Sequence, residues 1–148
     1  MTFRDLLKET PAFRFILDHL PIQSALGEKA LYSSPFLTDI KVISKEIQSV
    51  SEIKEWFYSS VEHEKVCEWI HEIKDISGIL KRKKNNEFLD DIDFFEIKKN
   101  SIYLEKINDF LFQTHFHIFE LKSLKPVIHH LDPEHSEVPH FYIYAAYD

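Results

Sequence analysis

Histidine is the residue type in this chain that most invites a metal-ion hypothesis, because the sequence holds nine of them. The densest group comes near the C-terminal end, at His129, His130, Asp132 and His135, with His140 close behind. Imidazole and carboxylate groups are ligands that zinc takes from proteins. The spacing matches no ligand motif, and histidines on the surface or in satisfied core positions account for the group more simply. We therefore predict no metal site and keep a histidine-based metal protein only as a third interpretation.

Motifs for common catalytic chemistries are absent from the sequence. His63-Glu64 begins like the H-E-x-x-H helix of zinc proteases, but Cys67 stands where the second histidine is required. Two glycines, Gly27 and Gly78, are too few to build a G-x-x-x-x-G-K-[ST] loop or a G-x-G-x-x-G turn. No serine lies in a G-x-S-x-G element. We therefore expect neither catalysis nor a bound cofactor from this chain.

A compact basic block, Lys81-Arg82-Lys83-Lys84, is the candidate nucleic-acid contact. Lysine and arginine supply most of the affinity for a phosphate backbone. The alternative is a solvated helix end, where cations complement the C-terminal dipole. The formal net charge of −7 opposes binding to a polyanion, so we expect little DNA affinity from this chain at physiological salt.

Composition indicates one glycine-poor helical domain over residues 1–148. Hydrophobic residues make up 44% and charged residues 29%, and only two residues are glycine, which favours helices over tight hairpins. The single cysteine, Cys67, excludes a disulfide framework within one chain and is expected to be a small buried hydrophobe. Residues 1–8 are charged, unlike a signal peptide, and no apolar run is long enough to span a membrane. A cytoplasmic location is the resulting expectation.

The first half of the chain predicts three helices. Thr10-Pro11 is a typical helix start, and Pro21 ends this first helix. Ser24 caps a second helix, which ends before Ser33-Ser34-Pro35. A long third helix starts at Thr38 or Asp39, and its apolar residues recur every three or four positions, at Ile40, Ile43, Ile47, Val50, Ile53 and Phe57.

The second half continues the helical pattern. One apolar series runs from Val66 to Leu80, and Gly78 within it predicts either a helix boundary or a close helix–helix approach. Asn85-Asn86 predicts a loop, after which the pattern resumes and continues to Leu131. Residues 141–147 are aromatic and β-branched and predict a short β-strand at the C-terminal end. The fold class predicted is all-α, bundle-like or orthogonal, and an unpaired strand suggests a piece of a longer protein.

Three sequence elements, in order, resemble the core (lever) domain of MutS-type DNA mismatch repair proteins. The first is Ser24-x-x-Gly27 followed by Leu31, Pro35 and Asp39-Ile40, which is similar to the opening of that domain. The second is Lys74-Asp75-Ile76-x-x-Ile79-Leu80-Lys81-Arg82, similar to its D-[IL]-x-x-[IL]-L-x-R element. The third is Leu131-Asp132-Pro133-Glu134 followed by Phe141-Tyr-Ile-Tyr. The resemblance covers residues 6–148.

The resemblance implies a structural role. In MutS proteins this helical core links the ATPase state to the engagement of mismatched or branched DNA, and performs no chemistry or base readout itself. The parent would be a DNA-dependent ATPase that uses ATP and Mg²⁺, with a homodimer as an option for its assembly. The DNA clamp and the ATPase cassette of the family are absent from this chain.

Mechanical relay requires stiff helices and discrete joints. Pro21, Pro35 and Gly78 are the candidate joints, whereas Gly27, beside Ser24, is expected to permit close packing, so that Gly27→Leu would destabilise by about 1–3 kcal/mol through overpacking. The main rival interpretation is a stand-alone helical module that binds a partner protein, for example through the terminal strand. An ATPase downstream distinguishes the lever interpretation from this rival.

Overall fold

A computed structural model describes residues 5, 10–22, 24–59, 63–116 and 121–132. This part of the chain contains seven α-helices and no β-strand, which confirms the all-α class. The predicted strand over residues 141–147 lies outside it. The helices are α1 Pro11–Asp18, α2 Ala25–Ser33, α3 Ile40–Ser59, α4 His63–Glu72, α5 Ser77–Lys84, α6 Asp91–Gln113 and α7 Lys125–Leu131.

The chain divides into two compact units, Met1–Cys67 and Glu68–Asp148. A single domain over residues 1–148 therefore stays a prediction. None of the described helices combines the length and the apolar character that a bilayer crossing requires.

Local capping sets the helix starts in the first unit. Thr10 is the N-cap of α1 with Pro11 at its first turn, and Ser24 is the N-cap of α2, where its Oγ accepts the Gly27 N–H at 3.0 Å. Asp39 Oδ1 accepts the Lys41 N–H at 2.8 Å just ahead of α3. The side chains of Ser24 and Asp39 thus satisfy amide groups that have no partner within the helix, whereas Thr10 makes no such side-chain bond. The three predicted helix starts are therefore confirmed.

The first helix ends ahead of Pro21, as the sequence predicts. Helix α1 ends at Asp18, ahead of Pro21. The His19 N–H donates to Ile16 O and the Leu20 N–H to Leu17 O, which tightens the last turn to three-residue spacing. His19 Nδ1 also lies 2.7 Å from Phe15 O. The chain has therefore left the helix before it reaches Pro21.

Half of the residues in the apolar stripe of α3 are exposed. No residue of this helix is buried, and Ile40, Ile47 and Val50 each keep more than half of their surface open to solvent. Ile43, Ile53 and Phe57, the other residues of the stripe, are half-buried. The periodicity therefore predicted the helix correctly without indicating which face would be covered.

A non-helical segment divides the apolar series of the second unit. Helix α4 ends at Glu72 and α5 begins at Ser77, so residues 73–76 interrupt the single series predicted from Val66 to Leu80. Asp75 Oδ1 accepts the Ser77 N–H at 2.9 Å, which starts the new helix. Gly78 is the second residue of this helix, so it lies at a helix boundary, one of the two options that the sequence predicted for it.

Helix α6 is the centre of the second unit. An Asp90–Asp93 capping box starts it, with each carboxylate accepting the other residue's N–H. Its buried apolar residues are Ile102, Ile107, Phe110 and Leu111, and α7 packs against it. The Trp69 ring meets Phe110 edge-on at 6.1 Å between centroids.

Candidate functional site

Helix α6 buries four polar side chains that each reach a different part of the second unit. These anchor residues are Asp93, Lys98, Asn100 and Glu105, none more than 6% exposed. A buried polar group is costly unless it is hydrogen-bonded, and a buried charge is costly unless it is paired. Their partners therefore decide how the surrounding segments are held.

Asp93 holds α5. The Arg82 guanidinium donates to the Asp93 carboxylate, whose other oxygen accepts the Asp90 N–H of the capping box. Arg82 is thus committed within the protein, and a guanidinium–carboxylate pair is a strong, directional contact. Of the candidate DNA-binding residues, Lys81, Lys83 and Lys84 are exposed, and Arg82 is not equivalent to them.

Asn100 holds the segment between α4 and α5. Its Oδ1 accepts the Lys74 N–H at 3.1 Å, and its Nδ2 donates to Lys74 O at 2.8 Å. Both peptide groups of Lys74 are satisfied by one side chain, as they would be by a neighbouring strand. This pair fixes the break that separates α4 from α5.

Glu105 holds the start of α7. Its carboxylate accepts the Ser123 hydroxyl at 3.0 Å and the Leu124 N–H at 2.6 Å, and Lys125 Nζ lies 3.8 Å away. Leu124 is the N-cap residue of α7. A carboxylate from another helix therefore supplies the cap that leucine itself lacks.

Lys98 holds the end of α7 through a buried ion pair. Lys98 Nζ lies 3.0 Å from Asp132 Oδ1, and the two side chains are 5% and 0% exposed. Asp132 is also the C-cap residue of α7, where its N–H donates to Ile128 O. Because Glu105 binds the start of α7, side chains of α6 contact both ends of that helix.

A cavity of about 260 Å³ opens beside Glu105, between α6 and α7. Ile102 and Ile128 form apolar walls, and Asp109, Lys125 and His129 line the polar side. Lys125 Nζ lies 3.6 Å from Asp109 Oδ1, so the cations and carboxylates of the wall largely compensate one another. The cavity therefore has no dominant charge that would select a ligand.

The histidine group does not converge on a metal site within the described residues. The His129 and His130 rings lie 6.2 Å apart, and Asp132 faces Lys98. No set of three or more potential ligands comes together in that part of the chain. His135 and His140 fall outside it.

The candidate joints lie at or near helix ends. Pro21 follows α1, Pro35 lies between α2 and α3, and Gly78 is the second residue of α5. A methyl group at Gly78 would meet no described atom within 4 Å. Close helix approach at Gly78 therefore has no support among the described residues, and its position next to a helix start fits the alternative.

Gly27 leaves room for the α2 cap. A Cβ built there would lie 3.1 Å from Ser24 Oγ and 3.6 Å from Ile22 Cγ2. Both contacts come from the chain just ahead of the helix. A larger side chain at this position, as in Gly27→Leu, would therefore first crowd Ser24 Oγ, which caps the start of α2.

Gly27→Ala is expected to leave stability nearly unchanged in the wild type and to raise it by about 1 kcal/mol in a Ser24→Ala background. Alanine is about 1 kcal/mol more favourable than glycine in a helix, but the new methyl group presses on Ser24 Oγ only when that oxygen is present. Ser24→Ala alone should cost about 1 kcal/mol. Urea denaturation of the wild type, the two single variants and the double variant gives the free energies of unfolding for this double-mutant cycle. An equal effect of Gly27→Ala with and without Ser24 would contradict the prediction.

A more exposed ion pair joins α4 to α6. Lys99 Nζ lies 2.6 Å from Glu72 Oε2. The hydrogen bond from Lys99, and then its charge, hold the pKa of the Glu72 carboxyl below its ordinary value. The same hydrogen bond holds the pKa of the Lys99 ammonium above its ordinary value.

Lys99→Met is expected to lower the melting temperature most near neutral pH. The depressed pKa of Glu72 makes its stabilising contribution disappear as pH falls through that pKa, and the raised pKa of Lys99 makes its contribution disappear as pH rises through it. The difference between wild type and variant should therefore shrink at both ends of a pH series of thermal melts. Lys106→Met, which removes a cation from the same Tyr103 ring, is the matched control. A difference that persists unchanged in acid would refute the assignment.

Sequence reasoning missed the anchor residues. A signal was available, because Asp93 and Asn100, like Lys98 and Glu105, are seven positions apart and so share a helix face. Comparison with known proteins adds no relative: no family model, no curated protein and no solved structure matches the chain.

Proposed function

We propose that this chain is the N-terminal part of the helical core, or lever, domain of a MutS-like protein. It performs no chemistry itself and relays between the ATPase and the DNA-engaging parts of its parent. The parent is a DNA-dependent ATPase that binds ATP and Mg²⁺ and recognises mismatched or branched DNA. The proposal rests on the resemblance of three sequence elements.

One structural observation supports it. Polar residues of the second and third elements are among those that fix the second unit: Asp75 starts α5, Arg82 joins α5 to α6, and Asp132 joins α7 to α6. A relay must move as a body, and hydrogen-bonded polar pairs between helices hold a unique arrangement. The sequence elements thus coincide with the contacts that stiffen this unit.

A stand-alone interaction module is the second candidate, because the exposed apolar face of α3 favours it. Ile40, Ile47 and Val50 lie on that face, and exposed apolar residues along one helix face are typical of surfaces that other proteins cover. The two candidates are distinguished by the sequence that the gene encodes downstream of Asp148.

Extension of the reading frame tests the proposal first. We expect further helical sequence and a G-x-x-x-x-G-K-[ST] phosphate loop. The full-length protein should then hydrolyse ATP faster with mismatched or branched DNA, and Asn100→Ala should reduce that stimulation by about fivefold or more without changing the basal rate. A frame that closes without a phosphate loop, or ATP hydrolysis indifferent to DNA, would reject the lever proposal.

A further inference from the structure

Helix α3 exposes a set of apolar side chains to solvent. Ile40, Ile47 and Val50 are each more than 60% exposed, and Tyr58 is 79% exposed. Within the described part of the first unit, two apolar side chains are buried and eleven large ones are exposed. So much uncovered apolar surface beside so small a core favours association through that surface.

Helical spacing places nine residues of α3 in three neighbouring rows. Residues seven positions apart lie nearly in line along an α-helix, and residues three or four apart lie side by side. Of the nine, only Lys54 carries a charge. We call this set the α3 face, and its rows are Ile43, Val50 and Phe57, then Ile40, Ile47 and Lys54, then Ser44, Ser51 and Tyr58.

The first two rows have a spacing that reads the same in both directions along the helix. Their six positions follow one another by 3, 4, 3, 4 and 3 residues, and the midpoint lies near the middle of α3. A second α3 that runs the opposite way can therefore cover nearly the whole helix. Ile47 then meets Val50 of the other copy and Ile40 meets Phe57, and two-fold symmetry makes each contact twice.

A charged row at the edge of the α3 face decides the direction. Lys41, Gln48 and Glu55 are exposed and lie next to the row that holds Tyr58. An antiparallel copy sets Lys41 level with the other copy's Glu55, whereas a parallel copy sets each charge beside its like. Opposite charges across an interface favour a register and like charges oppose it. The edge of this face is therefore complementary in charge to a reversed copy of itself.

The lysine within the rows favours the same orientation. A single lysine in a helix–helix seam specifies the register at some cost in stability. In a parallel pair the two Lys54 ammonium groups would share one layer. In an antiparallel pair the stem of each Lys54 packs against Ile43 of the other copy, and its ammonium group reaches solvent.

We propose that the α3 face of this chain binds the α3 face of a second copy in antiparallel orientation. The apolar rows supply the affinity, and the charged edge together with Lys54 sets the direction. The contact uses the surface that favours the interaction-module candidate and names its occupant. It does not depend on the lever proposal, which the downstream reading frame decides.

Sedimentation velocity of the intact chain, from about 1 μM to about 1 mM, measures the pairing directly. We expect a reversible monomer–dimer equilibrium within this range. Ile47→Glu, which puts a charge in the central row, should raise the dimer Kd by about tenfold or more. Phe112→Glu makes the same kind of change at an exposed residue of α6 and should leave the Kd within about twofold of wild type.

Charge reversal tests a second copy as the occupant without changing the apolar rows. Lys41→Glu or Glu55→Lys alone places two like-charged pairs at the edge and should raise the Kd by about fivefold. The double variant Lys41→Glu, Glu55→Lys restores both opposite-charge pairs and should return the Kd to within about twofold of wild type. Damage to the fold would not produce such a recovery.

Cross-linking tests the orientation. In a Cys67→Ser background, a mixture of the Ile40→Cys and Tyr58→Cys variants, both at exposed positions, should be joined by a short bismaleimide. Ile40→Cys alone should not be joined, because an antiparallel pair sets its two thiols about 25 Å apart along the helix axis.

Four results would overturn the proposal. They are a chain that stays monomeric at every concentration, equal weakening by Ile47→Glu and Phe112→Glu, a double charge variant no tighter than the single ones, and cross-linking of Ile40→Cys to itself. The first would assign the α3 face to a different protein, and the last would show a parallel pair.

Discussion

Replacing Lys98 with methionine is expected to lower the free energy of unfolding by about 3–5 kcal/mol. The side chain of Lys98 is 5% exposed and its partner Asp132 is fully buried. Methionine keeps the length of the aliphatic stem, so the loss reflects the charge rather than the packing. Asp132 would keep its buried carboxylate but lose the ammonium that it faces, and the loss of that charge partner in the interior is the larger cost.

The double variant Lys98→Met, Asp132→Leu should recover much of this loss. An ion pair that is removed as a whole leaves no uncompensated charge, and apolar replacements of similar size are often neutral or better. Urea denaturation followed by circular dichroism gives the two single values, the double value and their coupling. Additive single losses in the double variant would show that the two charges do not act as a pair.

Asn100→Ala is expected to lower the free energy of unfolding by about 2 kcal/mol. The change removes two hydrogen bonds at once and leaves the N–H and the carbonyl of Lys74 without their partner, at about 1 kcal/mol for each bond. Asn100→Asp should cost at least as much, because a carboxylate can accept from Lys74 but cannot donate to its carbonyl.

Asn108→Ala is the matched control for this prediction. Asn108 is on the same helix but is not among its buried residues, and its replacement should change stability by no more than about 0.5 kcal/mol. Thermal or urea denaturation of the three variants makes the comparison. Similar losses at both asparagines would indicate that helix α6 responds to side-chain loss in general, not to the bond with Lys74.

How far the sequence predicts an element depends on the distance over which its contacts act. Ser24 and Asp39 cap helices by accepting from amides two or three residues away, so the local sequence is enough to predict those helix starts. The break between α4 and α5 could not be placed, because the residue that pairs with Lys74 is 26 positions later. The local signs, Asp75 ahead of Ser77 and the glycine at position 78, indicate where α5 begins but not where α4 ends.

The basic block shows the same limit at the candidate site. Lys81, Arg82, Lys83 and Lys84 are consecutive and carry the same charge, and nothing within the block distinguishes one member. Arg82 differs from the three lysines because its guanidinium pairs with Asp93, which lies on α6 beyond the turn that follows the block. In α3 the sequence indicated the helix through Ile40 and Ile47, but solvent exposure depends on what packs against it.

The four anchor residues of α6 have a consequence for how the second unit opens. Each peripheral segment is attached to α6 by a polar group that is buried in the folded unit. Opening of the α4–α5 segment or of α7 by itself therefore gives up the contacts with Asn100, Glu105 or Lys98. Protection of backbone amides against hydrogen exchange should accordingly be similar along α6 and α7, as in a single cooperative folding unit.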